Sequence, residues 1–157
     1  MLKQGACEYV EHTKVLTMAI EWNDKLSVGN ELIDDDHKHL IKLINAYEMA
    51  ISTGNLKLLG PAFEALERYA NEHFQREENL MEAVFFPGLR DHREKHKLLL
   101  KEVQEKHKEI QKGGDIDLVA LSAFLRSWLI DHVVKEDMQY KPHVIGKRTD
   151  RLTPLEP

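Results

Sequence analysis

Several features that are common in proteins are missing from this chain, and each absence excludes a class of protein. A single cysteine, Cys7, leaves no partner for an intrachain disulfide. No apolar run approaches the roughly 20 residues that a membrane-spanning helix needs. Charged side chains interrupt residues 1–20, which therefore lack the apolar stretch of a signal peptide. These absences predict a cytoplasmic location and no association with a membrane.

An excess of charge of one sign is also missing. The formal net charge is −5, from 22 basic and 27 acidic residues that are interspersed along the chain. A nucleic-acid-binding protein usually carries a basic patch or stripe, and nothing in this pattern favours one. The sequence has no internal repeat and no low-complexity segment, and 157 residues suit one domain with its own core. We therefore expect a globular domain that binds no nucleic acid.

Apolar residues recur at helical spacing in four segments of the chain. Their approximate bounds are 37–51, 61–85, 89–111 and 116–140. Glycine or proline follows each segment, and Pro142 is expected to end the last one. The pattern predicts an all-α fold, an antiparallel up-down-up-down four-helix bundle over residues 21–140 that opens with an N-terminal arm. An N-terminal extension (1–20) precedes the bundle, and a short polar C-terminal tail (141–157) follows it.

Histidine, by contrast, is abundant, with nine residues in the chain. Five histidines and two acidic residues fall on the apolar helix faces, at the same end of the predicted bundle: His37, His73, Glu77, His92, His96, His132 and Asp137. In the second and third helices the paired members are four residues apart, which places both side chains on one face, one turn apart. Imidazole binds iron, zinc and copper, and carboxylates can bridge two metals. The spacing therefore suits a two-metal site.

Seven such groups at one depth of a core need a compensating partner. An unpaired polar group buried there costs several kcal/mol at the upper end of transfer estimates. A pair of metal cations supplies the partner better than hydrogen bonds among core histidines would. His132 and Asp137 are five residues apart, which is about 140° around an ideal helix. We therefore expect Asp137 to approach from the side, or the helix to contain a π-type irregularity.

Together with their neighbours, these residues resemble the hemerythrin family, and the bacterial hemerythrins in particular. The resemblance covers roughly residues 20–140 and rests on Trp22 and on the segments 28–40, 73–81, 86–88, 92–96 and 128–140. It implies a non-haem di-iron centre, two iron ions joined by an oxo or hydroxo bridge. The implied ligands are His92, His96 and His132 for one iron, His37 and His73 for the other, and Glu77 and Asp137 as bridges.

The ligand count leaves one coordination position open. Two octahedral irons have twelve positions, of which five imidazoles, two bridging carboxylates and one bridging oxygen fill eleven. The open position falls on the iron with fewer histidines. By resemblance its ligand is O2, held as a hydroperoxide after a two-electron transfer, with the proton from the bridging hydroxide. The resemblance thus implies reversible O2 binding, for storage, delivery or sensing, in a protein that is not an enzyme.

The resemblance also implies an apolar wall that excludes water from the open position. Matching positions assign this wall to Leu40, Phe74, Trp128 and Val134. Two nearby positions depart from the family's usual residues, since Asp36 stands where glutamine is usual and Phe86 where tyrosine is common. Neither is an implied ligand, and Asp36 is expected to change the charge near His37.

Two other functions stay open at this level. A di-iron enzyme acting on O2, peroxide or nitric oxide would use the same cofactor. However, ferritin-type oxidases use carboxylate-rich sites with Glu-x-x-His pairs, and the seven residues include no such pair. A signalling module is the third alternative, because the family also occurs fused to chemoreceptor or cyclase domains, although this sequence contains none. The sequence identifies no protein partner.

Overall fold

The computed structural model describes residues 19–113 and 116–145, and within them the chain forms helices and no strand. The elements are a 3₁₀ turn (Asp24–Leu26), α1 (Glu31–Ser52), a second 3₁₀ turn (Leu56–Leu58), α2 (Leu59–Ala83), α3 (Leu89–Lys112), α4 (Leu118–His132), a π-helical turn (Val133–Asp137) and α5 (Met138–Val144). Because α4, the π turn and α5 are continuous, they form the fourth arm of a four-helix bundle. The predicted fold class is confirmed. None of the helices in these ranges has the length and apolar character needed to cross a membrane.

Short connections bring consecutive helices side by side. α1 contacts α2 and α4, and α2 contacts α3. Their apolar faces meet in a main core whose most deeply buried members include Leu40, Ile44, Phe63, Leu66 and Leu125. A smaller cluster contains Val28, Ile33, Leu80, Met81, Tyr140 and Val144. On α1, α2 and the fourth arm the predicted site residues lie near the boundary between these two clusters, and on α3 they lie between Leu89, which packs against the smaller cluster, and Val103 of the main core.

Helix α1 begins at Glu31, six residues before the predicted start at about His37. Asn30 caps it, because the Asn30 side chain accepts a hydrogen bond from the backbone N–H of Ile33 at 3.3 Å. Its first two turns therefore include three aspartates that lie outside the predicted helix, Asp34, Asp35 and Asp36. One of them, Asp34, accepts hydrogen bonds from the Ser27 hydroxyl at 2.6 Å and the Val28 N–H at 2.8 Å. Asp34 thereby fastens the N-terminal arm to α1.

The fourth arm ends later than the sequence predicts. α5 continues to Val144 with Pro142 inside it, whereas Pro142 was expected to end the helix. Val144 is fully buried, and the Lys141 ammonium donates to the Ser27 carbonyl at 2.6 Å. These contacts offset the helical hydrogen bond that proline cannot make. Residues 141–144 are therefore helix and not tail, while 146–157, like residues 1–18 of the N-terminal extension, lie outside the described ranges.

Candidate metal centre

The structure brings all seven predicted site residues together in the interior of the bundle. α1 contributes one, α2 and α3 two each, and the fourth arm two: His37, His73, Glu77, His92, His96, His132 and Asp137. All seven side chains are buried. Their ligand atoms form two groups, in each of which the atoms lie within 4.8 Å of one another, and Glu77 is a member of both. One group has three histidines and the other has two.

The three-histidine group has ring nitrogens that face one another. The Nε2 atom of His96 lies 3.0 Å from Nε2 of His92 and 3.1 Å from Nε2 of His132. Two ligands at right angles on an octahedral metal, each about 2.1 Å from it, lie roughly 3.0 Å apart. The spacing around His96 therefore fits three neighbouring ligands on one metal.

The two-histidine group lies on α1 and α2. The rings of His37 and His73 meet edge to face, with centroids 4.9 Å apart. Nε2 of His37 lies 3.8 Å from Oε1 of Glu77, and Nε2 of His73 lies 3.6 Å from Oε2 of the same carboxylate. A metal held here would have fewer protein nitrogens than its neighbour.

Each of the two carboxylates reaches both histidine groups. Oε2 of Glu77 lies 3.2 Å from Nε2 of His96 in addition to its contact with His73. Oδ1 of Asp137 lies 3.0 Å from Nε2 of His132, and Oδ2 lies 3.3 Å from Nε2 of His37. The two oxygens of Asp137 thus face different groups, as they would in a carboxylate that bridges two metals.

The π turn brings Asp137 to this position. His132 ends α4 and Asp137 ends the π turn, whose last hydrogen bond runs from the Met138 N–H to the Val133 carbonyl, five residues back. An ideal α-helix would leave Asp137 about 140° from His132, whereas a π turn returns to the same face after about one more residue than an α turn. The irregularity expected from the five-residue spacing is confirmed.

Some of the buried ligand atoms have no hydrogen-bond partner within the described ranges. They are both ring nitrogens of His37, Oε2 of Glu77 and both carboxylate oxygens of Asp137. Burying such groups unpaired is costly. Two cations between the histidine groups would satisfy four of these five atoms, all except Nδ1 of His37. The donor set therefore fits the metal pair that the sequence predicts.

The charges of these groups shift one another's pKa values. Burial raises the pKa of Glu77 and of Asp137, but the facing imidazoles outweigh burial and hold both values below the ordinary range. Burial lowers the pKa of His92, yet the two carboxylates raise it overall to about 9. The pKa values of His37 and His96 are raised for the same reason. Protons on the imidazoles thus balance the buried carboxylates, and a bound metal would displace them.

Comparison with known proteins agrees with this geometry. The family model described as the hemerythrin HHE cation binding domain matches residues 28–144. The chain belongs to the hemerythrin family. A bacteriohemerythrin from Stenotrophomonas maltophilia (strain R551-3) is 30% identical over 123 residues, which cover 78% of this chain and 80% of that protein. One from Pseudomonas aeruginosa (strain LESB58) is 31% identical over 119 residues, covering 76% of this chain and 77% of the relative.

The similarity extends to a more distant source and to a solved structure. A hemerythrin-like protein from Naegleria gruberi is 28% identical over 120 residues, which cover 76% of this chain and 89% of that one. A crystal structure of wild-type hemerythrin superposes with a TM-score of 0.74 at 25% identity. The superposition covers 82% of this chain and 99% of the solved chain. The hemerythrin fold therefore accounts for the whole of the described bundle.

In this member of the hemerythrin family, carboxylates contact the outward-facing Nδ1 atoms of two of the site histidines. Oδ2 of Asp36 lies 3.3 Å from Nδ1 of His73, and Oε1 of Glu78 lies 2.8 Å from Nδ1 of His96. An imidazole that donates Nδ1–H outward keeps Nε2 free to bind a metal inside. Asp36 was expected to change the charge near His37, and the residue that its carboxylate contacts is His73, whose ring lies against that of His37. Consecutive residues point about 100° apart around a helix, which turns Asp36 towards α2.

Two other contacts of the hemerythrin site were not predicted from the sequence: the contact of Tyr140 with Glu77, and that of Asp36 with Tyr69 and Arg76. The buried Tyr140 hydroxyl donates to Oε1 of Glu77. Burial, together with the charge of Glu77, raises the pKa of Tyr140 well above its ordinary value. Burial raises the pKa of Asp36, but hydrogen bonds from His73, Arg76 and Tyr69 outweigh it and keep this carboxyl ionised. Each contact joins residues far apart in the chain, so no local pattern marks it.

Three of the four residues assigned to the apolar wall lie in the core near the site. The Phe74 ring stacks on the His96 ring with centroids 3.9 Å apart, and Leu40 and Trp128 are buried. The assignment of Val134 is wrong, because this residue is 47% exposed, whereas its neighbour Val133 is buried. Val134 is two residues after the inward His132, about 200° around an ideal helix, so its side chain points away from the core with or without the π turn.

Proposed function

We propose that this protein binds O2 reversibly at a di-iron centre, for storage, delivery or sensing. The observation that carries the proposal is that Glu77 and Asp137 each face both histidine groups, which suits two adjacent metals. Five imidazoles with two carboxylates form a donor set that iron accepts. Membership of the hemerythrin family supports iron over zinc or copper.

The unequal histidine groups support a small-ligand position beside His37 and His73. If each metal took six ligands, the seven side chains and one bridging oxygen would leave one position open on the metal held by fewer imidazoles. When bound, two ferrous ions supply one electron each, so O2 can be taken up without a separate reductant.

The role of the chain's own residues is to orient the ligands and to exclude water. Asp36 and Glu78 orient His73 and His96 through their Nδ1 atoms. Phe74 covers the His96 ring on one side, and its ring centroid lies 5.5 Å from that of His73. An apolar shell of this kind limits the access of solvent to a metal site. This favours reversible binding over the release of a reduced product.

Spectroscopy of the reduced protein tests the proposal. Protein reduced without air should contain two irons per chain and be almost colourless. Air should produce visible charge-transfer absorption, and flushing with argon should remove it over several cycles. His73→Ala should lose this absorption. His107→Ala is the matched control, because His107 pairs with Glu67 at 2.8 Å, outside the seven-residue site, and should behave as wild type.

Three results would count against the proposal. One metal per chain, or zinc alone after growth in iron, contradicts the di-iron assignment. Immediate formation of ferric protein with stoichiometric peroxide in air contradicts reversible binding. Sustained turnover with an added reductant would favour the alternative function, an enzyme acting on O2, peroxide or nitric oxide.

A further inference from the structure

Asp36 is buried at the centre of a polar cluster behind His73, which also contains the partly exposed Tyr69 and Arg76 and is called here the Asp36 cluster. Oδ1 of Asp36 accepts hydrogen bonds from the Tyr69 hydroxyl at 2.7 Å and from Nη2 of Arg76 at 2.9 Å. Oδ2 accepts from Nε of Arg76 at 2.7 Å and lies 3.3 Å from Nδ1 of His73. The carboxylate is therefore shared between a metal-ligand histidine and a bidentate arginine.

Asp36 and Arg76 have opposite effects on His73. A carboxylate that accepts the Nδ1–H of an imidazole makes Nε2 a stronger donor to a metal. The guanidinium of Arg76 forms two charge-assisted hydrogen bonds to the same carboxylate and withdraws electron density from it. Arg76 therefore weakens the effect of Asp36 on His73.

The carboxylate behind His96 lies closer to its histidine, at 2.8 Å against 3.3 Å for Asp36 and His73, but its contact with arginine is weaker. Glu78 contacts Nδ1 of His96 and accepts a single hydrogen bond from Arg93, at 3.2 Å. The Glu78 side chain is 23% exposed, against 7% for Asp36. Because water screens charge interactions near the surface, Arg93 offsets the charge of Glu78 less than Arg76 offsets that of Asp36.

We propose that Asp36 and Arg76 set the reduction potential of the iron held by His37 and His73, acting in opposite directions through His73. Both are positioning residues, since they touch the ligand and not the metal. This inference deepens the function proposed above and rests on it, because that iron carries the open position. Loss of the Asp36 charge should favour the ferrous state, and loss of the Arg76 charge should favour the ferric state.

The test compares the iron reduction potential of wild type with those of Asp36→Asn, Arg76→Gln and Glu72→Gln. Glu72 is the matched control, because its half-exposed carboxylate lies 3.9 Å from Arg76 and carries the same charge as Asp36. We expect a more positive potential in Asp36→Asn, a more negative one in Arg76→Gln and an unchanged one in Glu72→Gln. Arg76→Lys keeps the charge but not the bidentate contact, so its potential should lie between wild type and Arg76→Gln.

Metal affinity gives a second readout that does not depend on oxygen. Apoprotein titrated with ferrous iron against a competing chelator should bind one of its two irons about 10- to 100-fold more weakly in Asp36→Asn, which is the usual cost of losing such an outer partner. Glu72→Gln should bind both irons as wild type does. Equal affinities in the two variants would count against the proposal.

The proposal predicts potential shifts of opposite sign in Asp36→Asn and Arg76→Gln, which a merely structural role does not predict. Shifts of the same sign in the two variants would therefore overturn it. If either variant fails to fold, Tyr69→Phe decides. It removes one hydrogen bond to Asp36 without changing charge, so it should shift the potential in the direction of Arg76→Gln, and no shift would refute the inference. If the wild type binds two irons and O2 but the variants show no such shifts, this inference fails and the proposed function stands. If the wild type does not bind two irons, both the inference and the proposed function fail.

Discussion

Two buried tyrosines differ in one respect that bears on the site. The Tyr140 hydroxyl donates to Glu77, whereas the Tyr47 hydroxyl has no hydrogen-bond partner within the described ranges. Both residues are almost wholly buried. A hydrogen bond to a charged group contributes roughly 1.5–3 kcal/mol of stability. Comparing the two tyrosines therefore separates the effect of the hydroxyl's hydrogen bond on stability from the effect of a buried tyrosine ring.

Tyr140→Phe should lower the free energy of unfolding of the apoprotein by about 1.5–3 kcal/mol, because Oε1 of Glu77 loses its donor. Tyr47→Phe, the control, should be neutral or slightly stabilising. Urea denaturation followed by circular dichroism measures both changes. Equal losses in the two variants would show that the Tyr140 hydroxyl does not stabilise Glu77.

Single residues also show what the sequence could and could not predict. His73, Glu77, His92 and His96 could be identified because four-residue spacing places each pair on one helix face. The partners behind them could not be identified in this way. Asp36 reaches His73 across the α1–α2 interface, and such a contact depends on how two helices are rotated against each other. Helix periodicity does not determine that rotation.

At the scale of elements, the π turn has the largest effect on the site. It adds one residue between His132 and Asp137 relative to the four-residue spacing seen on α2 and α3. The exposed Val134 lies within this turn. The spacing predicted the irregularity, and the outward direction of Val134 also follows from spacing, since two residues after the inward His132 correspond to about 200° around a helix. The extension of α5 past Pro142 could not be predicted in this way, because it depends on the burial of Val144.

A deletion and an insertion in the π turn should have unequal effects. Deletion of Val134 leaves Asp137 four residues after His132, on the same face of an ordinary α-helix, so two irons should still bind. Insertion of an alanine after Val134 turns Asp137 and α5 about 100° away from the core. Iron content per chain should fall to one or none in the insertion variant, and its melting temperature should drop. An insertion variant that holds two irons would contradict the role given to the turn.

At the scale of the whole molecule, the centre of the bundle contains two buried carboxylates among five buried imidazoles. The carboxylates lose much of their stabilisation when neither the imidazoles nor a metal carries positive charge. The pKa of His92 is raised to about 9, so its contribution to stability is fully present below its ordinary pKa of about 6.5 and is lost as pH rises through about 9. The pKa values of Glu77 and Asp137 are lowered, so their contributions are present above the ordinary carboxyl range and are lost in acid.

The apoprotein should therefore lose stability between about pH 7 and about pH 9.5, by an amount on the order of 2 kcal/mol from His92 alone. Burial lowers the pKa of His73, so its own effect on stability changes mainly below its ordinary pKa of about 6.5 and opposes the trend little. Thermal unfolding of metal-free protein at both pH values measures the loss. Asp137→Asn should reduce it, because one carboxylate that raises the pKa of His92 is gone. His107→Gln should keep the full pH dependence, since His107 lies outside the seven-residue site. A wild type equally stable at both pH values would show that the imidazoles do not balance the carboxylates.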